Sequence, residues 1–294
     1  MRIMLIGCTG QLGTALMVSA PAAHEVAPLA HTDIEVTSDA SVRAAFDRHA
    51  PQVVINTSAF HRVDDCEVEV NRAFEVNALG VRRLALACRD RGATLVHLST
   101  DYVFGGGSKH APLTETDLPQ PLNVYGASKV AGEHLVAALL PQHFLIRSCG
   151  LYGVGGSKSK GGNFVETMLR KANDGESIRV VDDQVLTPTH TPELARKLWQ
   201  LLETKEYGLY HITCQGECSW YGFAAKIFEL AGLKPDLCPV ASSEFRTVAR
   251  RPPYSVLDNT RLRGLGLHDV KPWPEALADY LRMRPAQTQT DESA

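Results

Sequence analysis

The sequence predicts an α/β fold built on a Rossmann-type, doubly wound parallel sheet, with a smaller C-terminal domain. Three observations support this prediction. Short apolar strands alternate with helical segments, the chain opens with a strand, a glycine-rich turn and a helix, and the alternation weakens after Arg147. Alternation of this kind builds a parallel sheet that is covered by helices on both faces.

The first strand, turn and helix form the clearest local pattern. The apolar run from Arg2 to Ile6 predicts a strand, and Gly7-Cys8-Thr9-Gly10-Gln11-Leu12-Gly13 follows at once. In this context Gly7 permits the tight turn, Gly10 lets the backbone approach a pyrophosphate, and Gly13 lets the helix pack close to the strand. The first amides of such a helix bind anionic oxygens. We therefore expect a dinucleotide here; the alternative is a structural turn without a ligand.

The remaining elements follow in order along the chain. Strands are expected at 25–30, 52–56, 94–98 and 143–146, and helices at 40–49, 67–91 and from about 122. The 67–91 helix carries an apolar stripe that includes Val76, Leu84 and Cys88. Later features are a glycine-rich loop at 153–162, a helix at 163–173, a helix at 192–203, a strand at 208–213 and a proline-rich segment at 251–253.

These elements divide the chain into two expected domains. Residues 1–148 form the dinucleotide-binding domain, and residues 191–214 are expected to return to it. Residues 149–284 form mainly a substrate-binding domain. The polar tail 285–294 is expected to be disordered, because it lacks the apolar residues that a core requires.

Composition excludes several classes of protein. The net charge of −3 does not indicate a nucleic-acid-binding surface, and no apolar stretch reaches the ~20 residues that a bilayer requires. The start of the chain lacks the regions of a signal peptide, and its seven cysteines are scattered and odd in number. A cytoplasmic protein without membrane or nucleic-acid partners is expected. No second pair of ligands accompanies Cys214 and Cys218, so no metal site is predicted.

Tyr125 and Lys129 are the first candidate catalytic residues. They lie four apart near the start of a predicted helix that Asn123 caps, so their side chains share one face. A nearby cation favours the phenolate and lowers the pKa of a tyrosine from its usual value of about 10. The pair suits proton exchange with an alcohol or ketone oxygen. An exposed surface pair is the alternative.

Further polar side chains follow the carboxyl ends of the predicted strands, where doubly wound sheets bind their ligands. Segment 57–62 follows the third strand, segment 99–104 the fourth and segment 147–150 the fifth. Thr100 is suited to hydrogen-bond a carbonyl oxygen while Tyr125 supplies the proton. A turn hydroxyl that satisfies its own backbone is the ordinary alternative for such a threonine.

Together these motifs resemble the dTDP-4-dehydrorhamnose reductases of the extended short-chain dehydrogenase/reductase superfamily. The resemblance covers residues 1 to about 283. It is carried by Gly10-Gln11-Leu12-Gly13, Leu98-Ser99-Thr100-Asp101-Tyr102-Val103-Phe104, Pro121-Leu122-Asn123-Val124-Tyr125-Gly126-Ala127-Ser128-Lys129, and Asp183-Gln184 with Pro188-Thr189. It implies NAD(P)H-dependent reduction of the 4-keto group of a nucleotide-linked 6-deoxyhexulose.

The resemblance also implies roles for individual residues. The catalytic residues would be Thr100, Tyr125 and Lys129. The residues that bind NADPH or NADH would be Gly7, Thr9, Gly10, Gln11, Leu12, Gly13, Glu35, Ser58, Ala59, Ser99, Tyr125 and Lys129. The residues that contact the nucleotide sugar would be His61, Thr100, Asp101, Tyr102, Asn163 and Arg251.

Several positions depart from the family pattern. Gly150 stands where a large residue, often tryptophan, is common, which would remove an apolar wall from the sugar site. Leu186 replaces a glycine in Asp-Gln-x-Gly-x-Pro-Thr. Ala15 stands where some members carry an acidic residue of a magnesium-bridged dimer, so no metal is expected and the chain should be a monomer or a weak homodimer.

Some alternatives stay open on the sequence. His61 could contact the sugar or a phosphate, or lie on the surface beside Asp64. Glu35 or Asp33 would favour NADH, whereas His31 could accept the 2′-phosphate of NADPH. A sugar-nucleotide epimerase would use the same tyrosine and lysine. A non-catalytic regulatory subunit, such as the β subunit of methionine adenosyltransferase, could also keep the motif.

Overall fold

The computed structural model describes residues 1–155, 162–245 and 247–284; the expected disordered tail and most of the glycine-rich loop lie outside these ranges. The central strands are β1 (Arg2–Ile6), β2 (Glu25–Leu29), β3 (Val53–Asn56), β4 (Thr94–Thr100), β5 (His143–Ser148) and β10 (Gly208–His211). They form one parallel sheet in the order β10-β5-β4-β3-β1-β2. The predicted fold class is confirmed.

Helices cover this sheet, and shorter strands complete the fold. The helices are α1 (Gln11–Val18), α2 (Asp39–His49), α3 (Val63–Val68), α4 (Val70–Phe74), α5 (Val81–Arg91), α6 (Val124–Leu139), α7 (Phe164–Asn173), α8 (Thr191–Thr204), α9 (Trp220–Ala231), α10 (Thr260–Gly264) and α11 (Trp273–Met283). The shorter strands are β6 (Leu151–Tyr152), β7 (Ile178–Val181), β8 (Val185–Leu186), β9 (Thr189–His190), β11 (Cys218–Ser219) and β12 (Leu237–Val240).

Alternate residues of the central strands feed two different cores. In β1, Ile3 and Leu5 join the apolar cluster that also receives α1, α8 and α9, whereas Met4 and Ile6 join the cluster beneath α2 and α5. Successive strand side chains point to opposite faces, so a strand that is apolar on both faces must lie between two helical layers. Helices therefore bury both faces of the sheet, and the functional side chains lie at the edge where the strands end.

The segment predicted as one long helix over 67–91 is not continuous. It begins earlier, at Val63, breaks at Glu69, and contains a π-helical turn over Glu75–Gly80 before α5. The π-helical turn carries the buried Asn77, which accepts a hydrogen bond from the Phe60 amide (2.8 Å) and donates to the Phe60 carbonyl (2.9 Å). Asn77 thereby anchors the loop that follows β3.

The start of α6 agrees with the expected capping. Asn123 accepts a hydrogen bond from the Gly126 amide at 2.8 Å, as an N-cap side chain does. A Cβ on Gly126 would lie 2.1 Å from the Tyr102 carbonyl oxygen, so this turn packs directly on the segment after β4. β4 itself extends to Thr100, two residues beyond the predicted end. These contacts set Tyr125 beside Thr100.

A buried ion pair joins α6 to β5. Both Arg147 and Glu133 are buried, and the guanidinium makes two hydrogen bonds to the carboxylate, at 2.9 and 2.6 Å. Glu133→Ala should reduce the free energy of unfolding by about 3–5 kcal/mol, since it leaves a buried guanidinium without its counter-ion. Chemical denaturation measures this change. Glu229→Ala breaks the exposed pair with Lys226 and should cost about 0–1 kcal/mol. Equal losses in the two variants would contradict the prediction.

Candidate active site

A cavity of about 640 Å³ opens beyond the carboxyl ends of the sheet strands. The glycine turn lies at one part of its wall and the start of α6 at another. The predicted site residues that line it are Thr9, Gly10, Gln11, Leu12, Ala59, His61, Ser99, Thr100, Asp101, Tyr102, Tyr125, Lys129 and Asn163. Most of the side chains proposed from the sequence therefore share one cavity.

The three glycines of the first turn are needed for different reasons. Gly7 has φ +83°, and a Cβ there would lie 2.5 Å from Thr57 Oγ1. A Cβ on Gly13 would lie 2.2 Å from the Gly7 carbonyl oxygen. Gly10, by contrast, has φ −77°, and its Cβ would approach the chain no closer than 3.4 Å. The fold itself requires glycine at positions 7 and 13. At position 10 glycine is needed only to leave space for a ligand.

Two polar atoms beside this turn have no hydrogen-bond partner in the described part of the chain. They are Gln11 Oε1 and Ser99 Oγ, and both are buried. Buried polar groups are almost always satisfied, so an orphaned pair in one cavity indicates a polar ligand. Together with the exposed amides that begin α1, these atoms fit the sugar and phosphate groups of a dinucleotide.

Tyr125 and Thr100 both line the cavity, and their hydroxyl groups interact. The Thr100 hydroxyl donates to Asp101 Oδ1 (3.0 Å) and accepts from the Tyr102 amide (3.2 Å). The Thr100 hydroxyl is thereby held in place by its own segment.

The electrostatics of Tyr125 differ from the sequence expectation. Burial raises the pKa of its phenol above the ordinary value, and the hydrogen bond with Thr100 only partly offsets this effect. Lys129 Nζ lies 2.6 Å from the Leu98 carbonyl oxygen and 3.2 Å from His97 Nε2. A buried phenol that holds its proton at neutral pH is suited to act as an acid.

Asp101 lies beneath Thr100 and is only 4% exposed. Its other carboxylate oxygen, Oδ2, accepts hydrogen bonds from the Cys149 thiol (3.0 Å) and the Ser255 hydroxyl (2.7 Å). Burial raises the pKa of Asp101 despite these three donors. Asp101 is thus held by internal bonds while it also lines the cavity, and its contact with the sugar stays a prediction.

Three other predicted contacts have identifiable surroundings. Asn163 lies in the cavity wall, caps α7 by accepting from the Glu166 amide, and donates to the Gly153 carbonyl oxygen (3.1 Å). The Tyr102 ring packs edge-on against Tyr125, with centroids 5.8 Å apart. The His61 ring also lies in the wall, and its Nδ1 is 3.3 Å from the Ala59 carbonyl oxygen.

Several predicted residues do not reach the cavity wall. Gly7 and Gly13 lie behind the turn that they shape. Ser58 bonds to Asn56 Oδ1, and Glu35 accepts from the Thr37 amide and hydroxyl at 3.0 and 2.8 Å. Arg251 makes two hydrogen bonds of 2.8 Å to Asp64, and this guanidinium lowers the pKa of Asp64 to about 2. Asp64 is therefore paired with Arg251.

Gly150 and Leu186, two departures from the family pattern, are explained by one contact. Gly150 has φ +54°, and a Cβ there would lie 2.9 Å from Leu186 Cδ1. Leu186 thus occupies the space into which a side chain at position 150 would extend. The apolar wall is consequently built from other residues.

The sequence did not identify these wall residues. They are Leu151, Tyr152, Phe164, Leu186, Trp220 and Phe223, and polar Thr57 and Ser148 also line the cavity. The Phe164 and Trp220 rings lie 4.7 Å apart. Aromatic residues at the start of a capped helix resemble ordinary core packing, so only the fold could assign Trp220 and Phe223 to a ligand cavity.

Residues 1–155, 162–245 and 247–284 contain neither a metal-binding cluster nor a membrane-spanning helix. No group of three His, Cys, Asp or Glu side chains there could hold a metal ion. No helix in those ranges has the length and apolar character needed to span a bilayer.

Comparison with known proteins identifies the family. Residues 1–284 match the family described as the RmlD substrate binding domain. The chain belongs to this family. A dTDP-4-keto-6-deoxy-D-glucose reductase from Streptomyces niveus is 38% identical over 279 residues, which cover 94% of this chain and 95% of the relative. The resemblance inferred from the motifs is thereby confirmed.

Solved structures of the family agree with this fold. A dTDP-4-dehydrorhamnose reductase from Clostridium acetobutylicum is 39% identical and superimposes with a TM-score of 0.91, covering 96% of this chain and 99% of that one. A dTDP-4-dehydrorhamnose reductase from Bacillus anthracis, in complex with NADP, is 36% identical with a TM-score of 0.90, covering 96% and 98%.

Proposed function

We propose that the protein is an NAD(P)H-dependent reductase of the 4-keto group of a nucleotide-linked 6-deoxyhexulose. One observation carries this proposal: a buried tyrosine that holds its proton shares a cavity with a glycine turn shaped for a diphosphate. The reductase names of the relatives and the NADP in the Bacillus anthracis structure agree with it.

The cofactor would be held by one side of the cavity. The Gly10 backbone and the first amides of α1 would bind the diphosphate of the cofactor. The unpartnered side-chain oxygens of Gln11 and Ser99 would form hydrogen bonds with other polar groups of the cofactor. Lys129 would donate to its ribose hydroxyls. A bound reduced nicotinamide supplies hydride to a carbonyl carbon.

The catalytic step of the protein itself is proton transfer. Tyr125 would give its proton to the carbonyl oxygen as negative charge develops on it, and burial keeps that proton in place until then. Thr100, held by Asp101 and the Tyr102 amide, would orient the tyrosine hydroxyl.

The sugar nucleotide would occupy the remaining cavity. His61, Tyr102 and Asn163 offer polar groups, whereas Phe164, Leu186 and Trp220 form an apolar wall in place of the missing side chain at position 150. In this proposal residues 1–148 with 191–214 bind the dinucleotide, and residues 149–284 mainly bind the substrate. A cytoplasmic monomer or weak homodimer without a metal is the expected working form.

The proposal predicts the outcome of a spectrophotometric screen. Purified protein should oxidise NADPH or NADH when a dTDP-linked 4-keto-6-deoxyhexulose is added, and no oxidation should occur with the corresponding 4-hydroxy sugar nucleotide. The same screen with other nucleotide bases defines the substrate. Interconversion of sugar epimers without net cofactor oxidation would instead identify an epimerase, and a tightly bound synthetase without any turnover would identify a regulatory subunit.

A further inference from the structure

Lys129 has a buried set of neighbours that the proposed reaction does not use. Its Nζ lies 3.2 Å from His97 Nε2, and the opposite ring nitrogen, Nδ1, lies 3.2 Å from Asn56 Nδ2. All three side chains are at most 1% exposed. Asn56 of β3, His97 of β4 and Lys129 of α6 therefore form a buried row of polar groups. The position of each proton in this row follows from which atom donates and which atom accepts.

The orientation of the Asn56 amide is fixed by Ser58. Asn56 Oδ1 accepts from the Ser58 backbone amide (3.1 Å) and from the Ser58 hydroxyl (2.6 Å). A backbone amide can only donate, so the atom that faces it must be the amide oxygen. Asn56 Nδ2 is consequently the atom that faces His97, and it donates to His97 Nδ1.

This orientation determines the tautomer of His97. A neutral imidazole carries one proton, and Nδ1 must be bare to accept from Asn56, so the proton lies on Nε2. The Nε2–H points to Lys129 Nζ. An ammonium has no lone pair to accept this bond, whereas a neutral amine has one and can still donate to the Leu98 carbonyl oxygen at 2.6 Å.

We propose that His97 is a positioning residue: in the tautomer that Asn56 imposes on its ring, it holds Lys129 as a neutral amine. Protonation of Lys129 then releases this side chain for the cofactor. Lys129 also lines the cavity, so its released ammonium can turn to a ligand there. Binding of an anionic dinucleotide is then accompanied by proton uptake. This coupling rests on the proposed function.

The other groups around the row are compatible with this behaviour. Burial lowers the pKa of Lys129 to about 8 and that of His97 well below its ordinary range. Glu133, one turn along α6, favours the charged lysine, but its carboxylate is engaged by Arg147 of β5. Tyr125, one turn earlier on α6, keeps its proton and contributes no negative charge.

The tautomer can be measured directly in the full-length protein. With ¹⁵N-labelled histidine, the His97 signals are assigned by their loss in His97→Gln. We expect a protonated Nε2 and a bare Nδ1 above about pH 8, where Lys129 is neutral. In Asn56→Asp the proton should move to Nδ1, because a carboxylate accepts where the amide donated. A protonated Nδ1 in the natural protein would overturn the proposal.

Calorimetric titration with NADPH in buffers of different ionisation enthalpy measures the coupling. Uptake should approach about one proton per site as the pH rises above about 8. Asn56→Asp should reduce the proton uptake, because Lys129 is then already charged before NADPH binds. His97→Gln keeps a donor to Lys129 and should therefore retain the proton uptake. Binding without proton uptake would also overturn the proposal. Failure to bind NADPH would count against the proposed function, and the tautomer measurement still decides the proposal in that case.

Discussion

Replacement of Tyr125 by phenylalanine is expected to lower kcat by about 10²–10⁴-fold while the affinity for NADPH changes little. The change removes one buried hydroxyl that interacts with Thr100 and leaves the aromatic ring packed against Tyr102. The carbonyl oxygen would then lack an acid at the moment it gains charge. Steady-state oxidation of NADPH by a 4-keto sugar nucleotide gives kcat, and fluorescence titration gives the affinity for NADPH.

Tyr102→Phe is the matched control, because it removes a hydroxyl from the neighbouring ring in the same cavity. If Tyr102 only binds substrate, its variant should raise KM and leave kcat within about tenfold of the natural value. Turnover of Tyr125→Phe within tenfold of the natural protein would exclude Tyr125 as the acid. Equal losses of kcat in both variants would indicate a general disturbance of the cavity.

Much of the candidate site could be predicted from the sequence, because glycine turns and strand ends have few structural solutions. A strand, a spaced set of glycines and a helix define where a dinucleotide binds, and parallel strands that end at one edge bring their following residues together. Tyr125 and Thr100 meet for this reason. Each also belongs to a motif whose residues follow one another in the chain.

The electrostatics of the site could not be predicted in the same way. Spacing on a helix places Lys129 on the same face as Tyr125, but it does not reveal that His97 and the Leu98 carbonyl oxygen compete for the amine. Burial, which decides the direction of both pKa shifts, depends on the packing of distant segments. The sequence predicted a lowered pKa for Tyr125, whereas burial raises it.

Contacts between distant segments account for the other differences. Arg251 is 187 residues from Asp64 along the chain, yet the two form a bidentate pair outside the cavity wall. The break at Glu69 and the π-helical turn carrying Asn77 interrupt a stripe whose periodicity alone favours one helix. Tertiary contacts override local propensity at such points, and here they anchor the loop that bears His61.

Gly10→Val is expected to weaken NADPH binding by at least about 100-fold, which corresponds to about 2.8 kcal/mol. The isopropyl group would fill the space beside the first amides of α1, where a diphosphate has to approach the backbone. The fold should tolerate the change, because Gly10 has φ −77° and its Cβ would have no contact under 3.4 Å. The cost to folding is about 1 kcal/mol, as for other apolar residues at a helix N-cap.

Two neighbouring variants separate loss of binding from loss of fold. Gly10→Ala adds one carbon to the same space and should weaken NADPH binding less than Gly10→Val does. Gly13→Ala places a Cβ 2.2 Å from the Gly7 carbonyl oxygen and should lower the melting temperature more than either change at position 10. Fluorescence titration and thermal denaturation of the three proteins give both quantities. Normal NADPH affinity in a folded Gly10→Val protein would mean that the cofactor does not lie on this turn, and the reductase assignment would lose its structural basis.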